Sequence, residues 1–217
     1  MKTDLKKIRD VSIGIFDGPH ATPTLHDSGA AIFLGIREIN EHGQIDTGAA
    51  RWISEADYQK WTRRVEPRAG DIVFTYEATL NRYALIPEGL RCCLGRRTAL
   101  LRPDPRRVNP RYLFAYLFSR AWRSQIEANT IPGATVDRIA LTRFPDFLVE
   151  VPTREVQDRI AGVIAQYDDL LLNLGRQQQL LVEAKALLLP KLMSGQLDVS
   201  GIALPQAAHP EGVPLPC

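Results

Sequence analysis

The sequence predicts an α+β protein, one mixed α/β domain followed by a long C-terminal helix that pairs as an antiparallel coiled coil. Three observations predict it. Up to about residue 150, short apolar runs bounded by Gly, Pro, Asn or charge alternate with helical stretches. Pro152 closes that region. From Thr153 to Ser194, apolar residues recur at alternating spacings of four and three, the pattern of a coiled-coil seam. This divides the chain into a domain over 1–152, a helix over 153–195 and a flexible tail over 196–217.

The expected strands are Ala30–Leu34, Asp71–Tyr76, Tyr83–Ile86, Thr98–Arg102 and Phe147–Val151. A short helix is expected over Ser54–Arg64, with Ser54 as its N-cap. A longer one is expected over Pro110–Ile126, capped by Asn109 with Pro110 at its first position. Leu113, Leu117 and Ala121 form its apolar face, flanked by Phe114 and Phe118, with Arg111 and Arg123 in solvent.

Thr153 caps the long helix, and Glu155 lies in its first turn, where the helix dipole favours an acid. Its seam runs through Ile160, Ile164, Tyr167, Leu171, Leu174, Gln178, Leu181, Lys185, Leu188 and Leu192. At 1.5 Å per residue such a helix is about 60 Å long, too long for this domain to bury. It wants a partner helix. Pro190 is expected to kink or interrupt it near Ala186, and Gly195 to end it.

The 217 residues carry a net charge of +2, which hides an asymmetry. Residues 51–150 hold 17 basic against 11 acidic side chains, whereas the flanking regions are each slightly acidic. Of the 27 basic residues, 21 are Arg, whose planar fork suits phosphate and guanine edges. A basic middle fits nucleic acid; a solvated Arg-rich surface fits it as well. No run of about 20 apolar residues could span a membrane. The start, MKTDLKKIRD, lacks the apolar stretch of a signal peptide. Three cysteines, two of them adjacent, make no disulfide framework and fit a reducing cytoplasm.

Catalytic readings find little support. No GxxxxGK[ST] or GxGxxG cradles a phosphate. Asn109-Pro110-Arg111-Tyr112 comes near the motif of base methyltransferases, but its third residue is wrong and a helix start explains it. Asp71 and Glu77 could flank a divalent ion in a nuclease, yet Thr79 stands where a lysine is expected. His20 and His26 with Asp17 and Asp27 match no common zinc spacing. A binding scaffold remains. Its loops at 17–23, 77–82 and 95–98 are rich in turn formers and in Arg, Asn, Thr and His, the side chains that read base edges and phosphates.

Taken in order, these segments resemble the DNA specificity (S) subunit of type I restriction–modification systems. IFDGPHATP from Ile15 is similar to the opening of that family's target-recognition domain. AGDIVFTYEATLNRYALIP from Ala69 resembles its characteristic strand pair, and IPGATVDRIALTRFPDFLVEVP from Ile131 its closing segment. REVQDRIAGVIAQYDDLLLN from Arg154 resembles the start of the conserved helix, with Gln157, Ile160 and Asp168 at matching places, and LLLPKLMSGQLDV resembles its end. Two departures stand out. Ala78 and Leu80 occupy positions around Thr79 where the family usually has Gly, so that loop is expected to differ in shape. Family members also carry domain and helix twice in tandem, whereas this sequence has no internal repeat and looks like a half-subunit.

The resemblance implies that the domain reads one half of a split DNA target, with His20, Thr22, Thr79, Asn81, Arg82, Arg96 and Arg97 as candidate contacts. It implies that the helix pairs antiparallel, here with a second molecule. A homodimer mirrors its two-fold axis in a split palindrome. Gln178 and Lys185 on the seam are expected to fix its register. No cofactor is expected in this chain. Adenine methylation by a modification subunit with S-adenosylmethionine, and cleavage by a restriction subunit with ATP and Mg, are expected of partners. Two alternatives stand: a different half-subunit as partner, giving an asymmetric target, and a nuclease or methyltransferase with an unrecognised site.

Overall fold

The computed structural model describes residues 3–48, 50–197 and 200–201. It separates into two compact units, Met1–Gln166 and Tyr167–Cys217. In chain order the elements are β1 (Thr3–Lys7), α1 (Ile8–Val11), β2 (Ser12–Asp17), β3 (Ala31–Leu34), β4 (Arg51–Ile53), α2 (Glu55–Trp61), β5 (Ile72–Thr75), β6 (Tyr83–Leu85), β7 (Cys92–Leu94) and β8 (Thr98–Pro103). There follow α3 (Pro110–Tyr116), α4 (Arg120–Asn129), β9 (Thr130–Ile131), β10 (Arg138–Ile139), β11 (Leu148–Pro152) and α5 (Arg154–Met193).

A four-stranded antiparallel sheet, ordered β2-β8-β5-β6, lies at the centre of the first unit. Its middle strands are largely apolar because both faces are covered. Alternate residues serve different cores. Ile72, Phe74, Ala99 and Leu101 face a cluster built on Leu113, Leu117, Trp122, Ile126 and Phe144 from α3, α4 and the segment after β10. Val73 and Leu100 face Ile32, Leu34, Cys92 and Leu94 of a three-stranded sheet, β4-β3-β7. The far side of that second sheet, with Phe33, Ile53 and Cys93, packs on Tyr58 and Trp61 of α2. One domain thus stacks helices, sheet, sheet and helix. A separate ribbon, β1 with β11, pairs Thr3 with Pro152 and Lys7 with Leu148.

The expected strands are all present, and β1, β2, β4, β7, β9 and β10 join them. Ser54 caps α2 by accepting the Asp57 amide at 3.1 Å, and α2 ends at Thr62, whose hydroxyl bonds the Tyr58 carbonyl. The single helix expected over 110–126 is two. Ser119 accepts the Trp122 amide and starts a second helix, which turns Trp122 and Ile126 inward and leaves Ala121 exposed. The local side-chain cap outcompetes the continuous apolar stripe.

The long helix α5 runs without interruption past Ala186 and through Pro190 to Met193. Proline lacks the amide that would bond the Ala186 carbonyl, so the helix forgoes one backbone bond near its end and continues. Gly195 then ends the helix with φ +70°, its amide bonding the Leu192 carbonyl while Gln196 bonds that of Lys191. Most of the tail assigned to 196–217 lies outside the described residues. No helix is long and apolar enough to cross a membrane, among the described residues.

Candidate nucleic-acid interface

Strand direction builds the site. In an antiparallel sheet, neighbouring strands alternate direction, so one edge collects the ends of some strands and the starts of others. Here Asp17 ends β2, Thr98 starts β8, Thr75 ends β5 and Tyr83 starts β6 on one edge. The three sequence-predicted loops therefore leave from the same edge. The Gly18 amide donates to the Thr98 carbonyl at 3.0 Å, and the Tyr76 amide to the Arg97 carbonyl at 3.2 Å. A Cβ on Gly18 would lie 2.3 Å from the Gly95 carbonyl oxygen, so only glycine lets these loops approach.

A fourth loop, between β9 and β10, joins them. The Ala78 amide donates to the Asp137 carbonyl at 2.9 Å, and the Ile139 amide to the Tyr76 carbonyl at 2.8 Å. Ala78, Asn81 and Arg97 have φ of +69°, +61° and +69° and are the non-glycine residues with positive φ among the described residues. All belong to this edge. Such conformations cost roughly 1–2 kcal/mol each and concentrate at functional sites. Ala78 stands where the resembled family has Gly, and its backbone keeps the left-handed conformation, so at that position the loop retains the shape glycine would give. At Leu80 no positive φ is needed; Asn81 supplies it instead.

The candidate contacts have different surroundings. His20 is exposed, with Nε2 3.4 Å from Asp17. Thr22 is exposed further along the same loop. Thr79 is half-buried, its amide bonded to the Glu77 carbonyl at 3.0 Å. Asn81 Oδ1 accepts from the Tyr83 hydroxyl at 3.1 Å, and that hydroxyl accepts from Trp122 Nε1 at 2.8 Å, so the core anchors the loop. Arg96 is exposed. Arg97 places Nε 2.9 Å from Glu77 Oε1. Arg82 is the outlier. Its Nη1 donates to the Ile36 and Ile39 carbonyls, both at 3.2 Å, which commits it to holding the 36–39 turn.

The Tyr76 phenol senses how close these charges come. Burial raises its pKa first, Asp17 and Glu77 raise it further, and Arg96 and Arg97 oppose them. Sequence reasoning missed a second basic group. Lys60, Arg63 and Arg64, at the end of α2 and just beyond it, line a cleft with Asp17, Pro19 and Trp61, where Arg64 pairs with Asp17. Lys60 lies 5.0 Å over the Trp61 ring. The run KWTRR at 60–64 carries its signal in the sequence.

The acids and the Asn-Pro motif with catalytic potential in the sequence have structural roles in the fold. Asp71 and Glu77 flank opposite ends of β5, roughly 20 Å apart at strand rise, so they cannot share one ion. Asp71 is buried and bonded twice to Arg102, at 2.8 and 2.6 Å. Asn109 caps α3, accepting the Arg111 and Tyr112 amides. No group of three or more His, Cys, Asp or Glu is placed to hold a metal, among the described residues. Burial pushes the Cys92 and Cys93 thiols up to about 12, which leaves them unreactive.

Of the seam, Ile160 packs against the domain core and Ile164 is half-buried. From Tyr167 to Leu192 every seam residue is exposed, including Leu181 at 71% and the polar Gln178 and Lys185. Leu172, Leu180, Leu187 and Met193, off the seam, are exposed as well.

No family model matches this sequence, and no curated protein matches it. Solved structures do. The S subunit of a type I restriction–modification system from M. genitalium aligns with a TM-score of 0.65 at 14% identity, over 89% of this chain and 46% of that one. A chain from a structure of the type I R-M system gives 0.56 at 20% identity, over 85% and 43%. The HsdS subunit from Thermoanaerobacter tengcongensis gives 0.53 at 20% identity, over 90% and 45%. The chain shares their fold and spans just under half their length.

Proposed function

We propose that this protein is a sequence-specific DNA-recognition subunit of a type I restriction–modification complex. It reads one half of a bipartite target and directs a separate adenine methyltransferase and nuclease. The observation that carries the reading is that this chain, over most of its length, matches about half of two S-subunit chains and of a chain from a structure of the type I R-M system. The strained loops at one sheet edge, beside basic residues, agree with it. The chain itself catalyses nothing; S-adenosylmethionine, ATP and Mg act on the modification and restriction subunits, in the cytoplasm.

The second half of the recognition surface comes from a second copy. Exposed apolar residues from Tyr167 to Leu192 are the contact line, and Gln178 with Lys185 fixes an antiparallel register. Two copies related by a two-fold axis read a split palindrome.

The test is a map of methylated bases in DNA from cells expressing this chain with a type I modification subunit. A split palindrome is expected. An asymmetric split site would overturn the homodimer and leave the specificity role. Absence of chain-dependent methylation, or turnover of DNA by the purified chain with magnesium or S-adenosylmethionine, would overturn the role itself.

A further inference from the structure

We propose that Arg97 reads a guanine in the half-site through its terminal nitrogens, and that Glu77 is the positioning residue that aims it. The inference rests on the DNA-recognition reading above and adds which base is read and by what chemistry.

The basic residues at this edge are not equivalent. Arg82 is committed to two backbone carbonyls. Arg96 is exposed, and its long side chain extends into solvent. Arg64 pairs with Asp17 at the end of β2 but is 66% exposed and lies on the segment after α2, with no backbone contact to the strand ends in the bonds described above. Arg97 alone combines three features. Its backbone holds the left-handed conformation, with φ +69°. Its carbonyl accepts the Tyr76 amide, which pins that backbone to the end of β5. Its Nε is buried and forms an ion pair with Glu77 Oε1 at 2.9 Å in which the Nε–H is not aligned as a hydrogen bond.

The Glu77 carboxylate thus draws the guanidinium from its Nε side as a charge and not as an aligned hydrogen-bond acceptor. The side chain remains about a third exposed, at 32%, and with Nε buried that exposure belongs to its other atoms. An arginine drawn at its Nε side by a carboxylate can present Nη1 and Nη2 as a parallel pair of donors. Guanine offers two acceptors, O6 and N7, side by side in the major groove, and this pairing is the commonest specific Arg–base contact. Adenine presents a donor beside N7 and would leave one nitrogen unpaired. The backbone at Glu77 is fixed, because its neighbour Ala78 bonds the Asp137 carbonyl and residues 77 and 138 form an antiparallel β-bridge. Part of the rotameric freedom that an arginine usually gives up on binding is gone here before DNA arrives.

The experiment is selection of binding sites from randomised duplexes by the purified full-length chain, followed by titration of single-site duplexes. Wild type should return a consensus with a guanine at one half-site position. Arg97→Ala and Arg97→Lys should return the same consensus with that position degenerate, since lysine keeps the charge and lacks the fork. Glu77→Gln should loosen the same position while leaving the others intact. Replacing that guanine by 7-deazaguanine removes N7. It should weaken wild type by roughly 5- to 150-fold, the range of one bidentate pair, and leave Arg97→Ala unmoved. Circular dichroism of each variant separates impaired discrimination from unfolding, and a variant that unfolds is replaced by Arg97→Gln. A consensus without guanine in the half-site, or one that Arg97→Lys and Glu77→Gln both retain, overturns this proposal and leaves DNA recognition standing. Failure of wild type to select any consensus overturns both.

Discussion

The backbone amide of Asn109 donates to the side-chain carbonyl of Gln157 at 2.8 Å. The glutamine passes its own amide to the Pro152 carbonyl at 2.8 Å, and Asn109 Nδ2 reaches Asp158 at the same distance. The residue that caps α3 thus also holds the first turns of α5 against the domain.

Gln157→Ala leaves a backbone donor and a backbone acceptor without partners at a position only 3% exposed. A destabilisation of about 1–3 kcal/mol is expected, the cost of unsatisfied buried polar groups. Urea unfolding measures it. An unchanged midpoint would mean that water takes over both bonds.

Asp158 makes this joint sensitive to acid. Its hydrogen bond from Asn109, then that from Arg154, hold its carboxyl below the ordinary carboxylate value. A folded pKa below the unfolded one stabilises above the unfolded value, and the benefit disappears as pH falls through the folded one. The difference in Tm between wild type and Asp158→Asn should be constant above about pH 5 and close in acid, since unfolded Asp titrates near about 3.9. A difference that does not begin to shrink as pH falls below the unfolded value of about 3.9 would contradict this.

Ala78→Gly tests the strained loop. Releasing a left-handed alanine gains about 1–2 kcal/mol, and the added unfolded-state entropy of glycine takes back about 0.4–1. Stability should hold or rise by up to about 1.5 kcal/mol, whereas the β-branched Ala78→Val should lower it by about 1 kcal/mol. Thermal unfolding of both variants decides; a destabilised glycine variant would show that the Ala78 methyl packs usefully.

Arg82 and Arg96 should separate stability from binding. Arg82→Ala strips the Ile36 and Ile39 carbonyls of their donor and is expected to cost about 1–3 kcal/mol in stability. Arg96→Glu should leave the Tm alone, weaken DNA binding and lower the salt slope by about one for each phosphate no longer neutralised. Binding isotherms across salt, beside melting curves, reveal whether the two effects divide this way.

Leu171→Asp with Leu181→Asp should yield a monomer by light scattering, because both residues lie on the exposed seam. Gln178→Leu with Lys185→Leu should preserve association but change its register or partner number. Association unchanged in the aspartate pair would place the contact line elsewhere on the helix.

Much of this was legible in the sequence, for identifiable reasons. The long helix declared itself because an unburied rod must keep a strict stripe, and β5 and β8 because strands covered on both faces are apolar over most of their length. Ser54 and Asn109 were readable as caps because capping is local. Missed features depend on distant partners. β1, exposed at most positions, pairs with a strand at the far end of the domain. β7 is three residues long and is defined by β3 beside it. Ser119 hid within a continuous apolar run. Arg82 looked like its neighbours, and only folding brings the 36–39 carbonyls to it. Glu77 drew notice as a metal ligand; its pairing with Arg97 forms across two adjacent strand ends and leaves no spacing signature.

The ribbon of β1 with β11 also sets an order of events during synthesis. Thr3 pairs with Pro152, so the opening strand has no partner until almost the entire domain has been made. At about 5–20 residues per second, it waits on the order of ten seconds. Pairings this distant in sequence are slow to form and leave an edge open to wrong partners in the meantime. Three of the first strand's five side chains are Asp4, Lys6 and Lys7, and such charges discourage edge-to-edge association. The nascent chain thus carries its protection against misassembly in a strand that is made long before its partner.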